Sequence, residues 1–276
     1  MTRDTVGSVF GRGQIDWDRD GQLRFSGAAH DLFDWLDSSL ERLALEAGAR
    51  PQLAPEAIEG DTLQRSGYFE SFPGAGIPAG AGDVVNVANV ASTMWVPPAV
   101  CYHAYPSFAG QRVRTSERLT LACGCGRNEA TSPENPGRLR RFRMREVVFL
   151  GAPTWVAAER DAWMARGHAF ATSIGLASTL EPATDVFFGA AGRGQQLIQK
   201  LKALKFELRT DAGPAGIVAA ASFNLHESFF ARRFDIRLED GSIAATGCAA
   251  FGIERWTLAC LAQLGAERAA ELMRTR

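Results

Sequence analysis

Several of the signatures that would identify a chemistry at a glance are missing. There are only four histidines (His30, His103, His168 and His226), and they form neither an HExxH motif nor a Ser-His-Asp arrangement. No CxxC pair occurs: Cys123 and Cys125 have one residue between them, a spacing poor for chelating one tetrahedral ion. Gly74 to Gly82 is rich in Gly and Ala but lacks the lysine and the strand-loop-helix setting of a P-loop. The stretch from Gly247 to Gly252 is not a GxGxxG fingerprint. Long hydrophobic runs are absent too. The longest, Ile217 to Phe223, is broken by Ser222 and is far too short to span a bilayer. No apolar segment follows Arg3 and Asp4, so no signal peptide is expected. Charge of one sign is not in excess: the net charge is −1, which argues against a large nucleic-acid footprint.

What is present suits a globular protein. Hydrophobic residues make up 46% and charged residues 22% of 276, enough for a sizeable core in one large domain or two smaller ones. Five cysteines, an odd number, in a chain without an export signal imply reduced thiols and a cytoplasmic location. Leu32, Phe33, Leu36, Leu40 and Leu43 predict a helix from about His30 to Ala47, stopped by Gly48. Trp155, Ala158, Ala162, Trp163 and Phe170 predict a second from Pro153 to Gly175, with Glu159, Arg160 and Arg166 outside. A basic helix is expected from Gly194 to Ala203, and a final one from Glu254 to Leu272. Strands are expected at Phe206–Arg209, Ile217–Leu225, Phe234–Leu238 and Ile243–Ala250. Val84–Trp95 and Val100–Tyr105 read as strand or buried helix. The pattern is α+β: helices flanking a mainly antiparallel sheet.

The centre of the chain is Cys123 to Gly151. Two strand-like ends enclose Thr131-Ser132-Pro133-Glu134-Asn135-Pro136-Gly137, a turn-rich run, so an antiparallel hairpin with a long loop is expected. On the return strand Phe142, Met144 and Glu146 share one face, and Arg141, Arg143 and Arg145 the other. With Arg127 and Glu129 this could form a nucleotide and metal platform. It also reads as a solvated edge hairpin with charge pairs, and spacing alone favours that.

Cys101, Glu146, Cys248 and the Cys123/Cys125 pair are the candidate metal ligands. Three distant ligands would suit a catalytic zinc with one open position. Lone cysteines are more often simply buried. Gly247 to Arg255 runs from a strand through glycine into a helix, with Arg255 in the first turn, where an arginine opposes the dipole. It could bind phosphate, stack on a base, or pair with a neighbouring acid. His226 lies near no nucleophile motif.

Three blocks together resemble class II aminoacyl-tRNA synthetases. Arg127-Asn128-Glu129 with Phe142 to Glu146 resembles their motif 2, Gly247 to Arg255 their motif 3, and the helix ending near Gly48 before Pro51 their motif 1. SGYFESFP (Ser66 to Pro73), FRMRE (Phe142 to Glu146), LKFEL (Leu204 to Leu208) and SFN-x-H (Ser222 to His226) are more specifically similar to the amino acid:[carrier protein] ligases. These are truncated relatives of the atypical zinc-dependent seryl-tRNA synthetases. The resemblance covers roughly residues 30 to 265. It implies one class II synthetase-like domain over 1–276, with an antiparallel sheet flanked by helices and a helical insertion at 153–205.

The resemblance also implies a reaction. A small amino acid would be activated with ATP and Mg2+, then passed to the phosphopantetheine thiol of a carrier protein. Cys101, Glu146 and Cys248 would hold one Zn2+, whose open position takes the neutral amino group. Arg127 would hold the α-phosphate and the substrate carboxylate, and Glu129 would read the adenine amino group. Arg138 and Leu139 would line the ATP site, Ala219, Ala220, Ala221 and Ser222 would add largely backbone contacts, and Arg255 would stack on adenine. The motif 1 helix implies a homodimer. Arg193, Lys200, Lys202 and Lys205 would dock an acidic carrier surface. Leu225, Glu227 to Phe230 and Ala244 to Gly247 depart from the family pattern near the expected pocket, which bears on substrate choice. A tRNA ligase and a catalytically silent binding paralogue are the alternatives; no anticodon-binding domain or coiled-coil arm is visible, and tRNA is not expected as a partner.

Overall fold

The structure, a computed structural model, describes residues 15–17, 22–80, 90, 93–114, 116–129, 137–183 and 203–274. Helix α1 (Ala28–Glu46) buries Leu32, Leu36, Leu40 and Ala44, one residue per turn on one face. The chain leaves it through Gly48, whose φ of 81 suits glycine. Strand β1 (Arg50–Pro51) follows, then the short helices α2 (Gly60–Arg65) and α3 (Tyr68–Ser71). The expected hairpin is β2 (Ser116–Gly126) and β3 (Arg141–Gly151), antiparallel and in register from Ser116–Gly151 to Gly126–Arg141. Next come α4 (Pro153–Ser173), β4 (Ser178–Pro182), β5 (Lys205–Asp211), β6 (Ile217–Glu227), α5 (Phe229–Phe234), β7 (Ala245–Gly252) and α6 (Ile253–Arg274). The seven strands form one sheet in the order β1-β2-β3-β7-β6-β5-β4, antiparallel except for the β1–β2 pair.

The sheet is covered on both faces. Behind it, α1, α4 and α6 pack on Val147, Phe149, Phe223, Ala249 and Phe251. In front, Leu121, Cys123, Cys125, Val148 and Cys248 pack against Tyr68, Tyr102, Tyr105 and α5. The front cluster is the one that builds a site.

Four expectations need correction. The hairpin is not a solvated edge pair: β3 lies between β2 and β7, inside the sheet. Its rear-facing arginines are neutralised by α1, Arg143 by Asp37 at 2.9 Å and Arg145 by Asp37 and Glu41. Of strand and buried helix at Val100–Tyr105, the helical reading holds, as 3-10 helices at Val100–His103 and Tyr105–Phe108, and the strand reading falls. The segment expected as a strand at Phe234–Leu238 begins as the end of α5. Phe230, Ala231 and Phe234 form a buried helical face, and only Arg237–Leu238 is extended. Glu159 and Arg160 on α4 are buried, not outside, because each finds partners within the fold. Glu159 receives Arg118 Nε and Nη2 at 2.8 and 2.7 Å and the Trp163 indole N–H at 2.9 Å. Arg160 donates to Ala203 O and lies over the Phe206 ring. The final helix is broken at Gly265, with φ 74. In the stretch 153–205, the described parts are α4, packed on the rear of the sheet, and the edge strand β4. The helix expected at 194–203 falls almost wholly outside the described residues, as does most of Val84–Trp95.

Removing the partly exposed Arg118 leaves the buried Glu159 with the Trp163 N–H and, at 3.8 Å, Arg166 as its remaining partners. Arg118→Met is therefore expected to destabilise the fold by about 3 kcal/mol, and Arg118→Met with Glu159→Gln to recover much of that loss. Chemical denaturation of both variants checks it; equal midpoints for the single variant and the parent would reject the pairing.

Candidate active site

Strand pairing brings the first candidates together. Ala250 pairs with Glu146 and Cys248 with Val148, so Cys248 and Glu146 are diagonal neighbours on the front face of β7 and β3. Cys101 arrives from the 3-10 turn above them. The ligand atoms of Cys101, Glu146 and Cys248 lie within 4.8 Å of one another, and all three residues are buried. Glu146 Oε1 accepts the Val100 N–H at 2.8 Å, whereas Oε2, buried, has no hydrogen-bond partner. Burial raises the Glu146 pKa above the ordinary carboxylate range. Cys101 is raised well above its usual value by the Cys248 sulfur and then by burial. Contact with Cys101 lowers the Cys248 pKa, but burial and the Glu146 charge outweigh it and the net direction is upward.

Uncompensated, this cluster is electrostatically uncomfortable. A divalent cation would relieve it by pairing with both sulfurs and the orphaned oxygen. Two thiolates and one carboxylate oxygen are a donor set for zinc, and three protein ligands leave one tetrahedral position open. The residues present therefore fit the ion. Cys123 and Cys125 do not join them. Their sulfurs lie 4.0 Å apart on the same front face, and they complete no group of three among the described residues.

The nucleotide-site candidates line the hairpin mouth. Arg127 donates Nε to Pro98 O at 2.9 Å and lies over the Phe142 ring, 5.4 Å from its centre. Glu129 is ion-paired to Arg138 at 2.8 Å, both partly exposed. Arg255 donates Nε to Gly137 O at 3.0 Å and Nη1 to Ala219 O at 2.9 Å, tying the loop's return to β6. Burial, and then the Arg127 charge, lowers its pKa. This answers the misplaced arginine: two carbonyls compensate its position in the first helical turn. Leu139 is buried. Ala220 and Ala221 sit in the rear core, while Ala219 and Ser222 are partly exposed. The loop residues from 130 to 136 lie outside the described set.

No protein-family model matches the chain. Amino acid–[acyl-carrier-protein] ligase 1 of Bradyrhizobium diazoefficiens is 33% identical over 252 residues, covering 81% of this chain and 76% of that protein. The chain belongs to the amino acid–[acyl-carrier-protein] ligase family. Ligase 2 of the same organism is 32% identical over 228 residues, covering 74% and 67%. The type-2 serine–tRNA ligase of Methanocaldococcus jannaschii is more distant, 27% identical over 178 residues, with 61% of this chain matching 34% of that one. In structure the ligase resembles M. kandleri seryl-tRNA synthetase, solved with A. aeolicus tRNASec, at TM-score 0.79 and 20% identity. That match covers 98% of this chain and 61% of the synthetase. The Pyrococcus horikoshii seryl-tRNA synthetase complexed with ATP gives 0.70 and 15%, covering 95% and 58%. The ligase thus spans about six-tenths of those synthetases and shares their class II fold. By family it is an ATP-dependent ligase.

Three features of the site escaped the sequence reading. Tyr68, inside SGYFESFP, is buried against Tyr102 and Phe72, and its hydroxyl has no hydrogen-bond partner. Burial pushes its pKa up to about 12, with the charges of Arg127 and Glu129 acting on it. His226 lies beside Cys248. Glu254 is buried next to Arg255, and both its oxygens accept the Arg143 backbone N–H, at 2.8 and 3.0 Å. The repeated aromatic and acidic letters of these blocks were the available signal; nothing in their spacing marked which side chains turn inward.

Burial raises the Glu254 pKa from 4.5 to about 7. The folded state holds this proton more tightly than the unfolded chain. The resulting stabilisation is complete below about pH 4.5 and is lost as pH rises through 7. Glu254→Gln, neutral throughout, is expected to gain on the parent across that window by on the order of 3 kcal/mol. Denaturation midpoints of both proteins from pH 4.5 to 8 read this directly; a difference independent of pH would refute it.

Proposed function

We propose that the ligase activates a small amino acid with ATP as an aminoacyl-adenylate and transfers it to the phosphopantetheine thiol of a carrier protein. The convergence of Cys101, Glu146 and Cys248 beside the Arg127 mouth is the observation that carries this reading. Bound there, Zn2+ would supply a Lewis-acidic open position for the neutral amino group of the substrate. Cys101, Cys248 and the orphaned Glu146 Oε2 would hold that ion. Arg127 would bind the substrate carboxylate and the α-phosphate, setting the carboxylate oxygen on line for phosphorus and neutralising charge as pyrophosphate departs with Mg2+. Glu129 would accept from the adenine amino group, with Arg138 and Leu139 beside it. The two carbonyls that hold Arg255 fix its guanidinium plane, a surface suited to stacking on adenine. Ala219, Ala220, Ala221 and Ser222 would contribute backbone along β6.

The higher identity and fuller coverage with carrier-protein ligases than with tRNA ligases favour the carrier as acceptor. Within this reading the chain acts as one catalytic domain carrying an insertion at 153–205. It would pair as a homodimer through α1 and the segment after β1, where Leu45 and Leu53 are 45% and 89% exposed. No helix among the described residues is long and apolar enough to cross a membrane, which is compatible with a cytoplasmic enzyme. Of the residues assigned to carrier docking, Arg193, Lys200 and Lys202 lie outside the described set. Lys205 leaves that surface, because its side chain is 12% exposed and pairs with Glu207.

ATP–pyrophosphate exchange across a panel of amino acids, with and without chelator, tests the reading. Exchange is expected with a small amino acid and should be lost on metal removal. Cys101→Ala and Cys248→Ala should lose metal and exchange together, and one equivalent of zinc retained in either variant would reject the ligand set. Arg255→Ala is expected to weaken ATP binding about 5- to 30-fold, the worth of a desolvated cation–π contact.

A further inference from the structure

His226 has no role in the reading above, yet its surroundings are tightly specified. Nε2 lies 3.7 Å from Cys248 Sγ, while Nδ1 lies 3.2 Å from the Tyr105 hydroxyl and 3.4 Å from Thr246 Oγ1. The ring is held edge-on against Phe230, centroids 4.9 Å apart at 83°, and Phe230 stacks on Tyr105 at 4.4 Å. Asn224 Nδ2 reaches the same sulfur at 3.4 Å.

A neutral imidazole carries one N–H and one acceptor nitrogen. Both neighbours of Nδ1 are hydroxyls, which can donate; a thiolate at Nε2 can only accept. With a thiolate at Nε2, one arrangement serves the chain: Tyr105, the nearer hydroxyl, donates to Nδ1, and Nε2–H donates to Cys248 Sγ. We propose that His226 is a positioning residue for the metal site, the middle of a Tyr105–His226–Cys248 hydrogen-bond chain that fixes the Cys248 sulfur and, with Asn224, draws electron density from it. This rests on the zinc reading. An N–H donor on a ligating sulfur aims its lone pair at the ion, and for affinity this orientation outweighs the electron density it withdraws. Tyr105, through Nδ1, selects the tautomer that keeps the donor on the sulfur.

The test uses purified protein loaded with Co2+ in place of Zn2+, together with zinc affinity measured by chelator competition. His226→Ala is expected to lose about 10- to 100-fold in zinc affinity and to move the sulfur-to-cobalt charge-transfer band to lower energy. His226→Gln, whose amide N–H can reach the sulfur, should restore much of both. Tyr105→Phe should shift the band in the same direction by less, and it carries the test if His226→Ala does not fold. Parental affinity with an unmoved band in His226→Ala, or in Tyr105→Phe where that variant stands alone, would overturn the proposal while sparing the metal reading. A Gln variant that behaves like the Ala variant would overturn it too, leaving only a packing role. A parent protein that takes up neither ion would overturn both.

Discussion

The central constraint is electrostatic: a carboxylate and two thiols share one buried pocket on the front of the sheet. Taking an isolated carboxylate out of water costs several kcal/mol even after relaxation, about what a whole domain can spare. Glu146 meets that cost only in part, with the Val100 N–H on Oε1 and the Cys101 and Cys248 thiols beside it. Such an arrangement is poor as scaffolding, where an apolar residue of similar size would serve better. A cation there would relieve it; Tyr68, Tyr102, Tyr105 and Phe230 pack in the same front cluster as the two cysteines. Pauses elsewhere in the regular pattern serve the same end: the 3-10 turn at Val100–His103 brings Cys101 and the Val100 N–H to the same carboxylate.

The fold was largely legible because its long elements obey simple periods. Leu32, Phe33, Leu36, Leu40 and Leu43 spell out α1, and the two ends of the central hairpin alternate as strands do. Helix α4 was found for its length, but its faces were misread. Its sequence interleaves charge and bulk all round, and only Arg118, 41 residues earlier, tells which acid turns inward. Spacing alone favours an edge hairpin with local charge pairs, because the counter-charges, Asp37 and Glu41, lie more than a hundred residues upstream. The ligand trio was even less accessible. Cys101, Glu146 and Cys248 are unremarkable singly, and their meeting depends on sheet order and on a turn that no local propensity announces. Residue type made them candidates beside Cys123 and Cys125, and resemblance to whole motifs singled them out.

The same charges that hid the hairpin's position also fix its register. Along β3, Phe142, Met144 and Glu146 point forward while Arg143 and Arg145 point to α1. A slip of one residue would exchange the faces, sending Glu146 against Asp37 and Arg145 into the pocket of Cys101 and Cys248. Like charge would then meet like on the rear, and a guanidinium would occupy the place of a cation ligand in front. Both errors are costly, so the correct pairing is separated from its nearest competitor by repulsion as well as by lost contacts. Glu254 adds a third lock, since its carboxylate takes the backbone N–H of Arg143. Helix α1, the hairpin and the start of α6 are in this way tied to one alignment. That alignment sets Glu146 beside Cys248 at the pocket and, where α6 begins, carries Arg255 to the carbonyls of Gly137 and Ala219. A site built from distant residues needs such a frame. Its ligands have no local sequence bond to one another, and only the register of the strands beneath them holds their spacing.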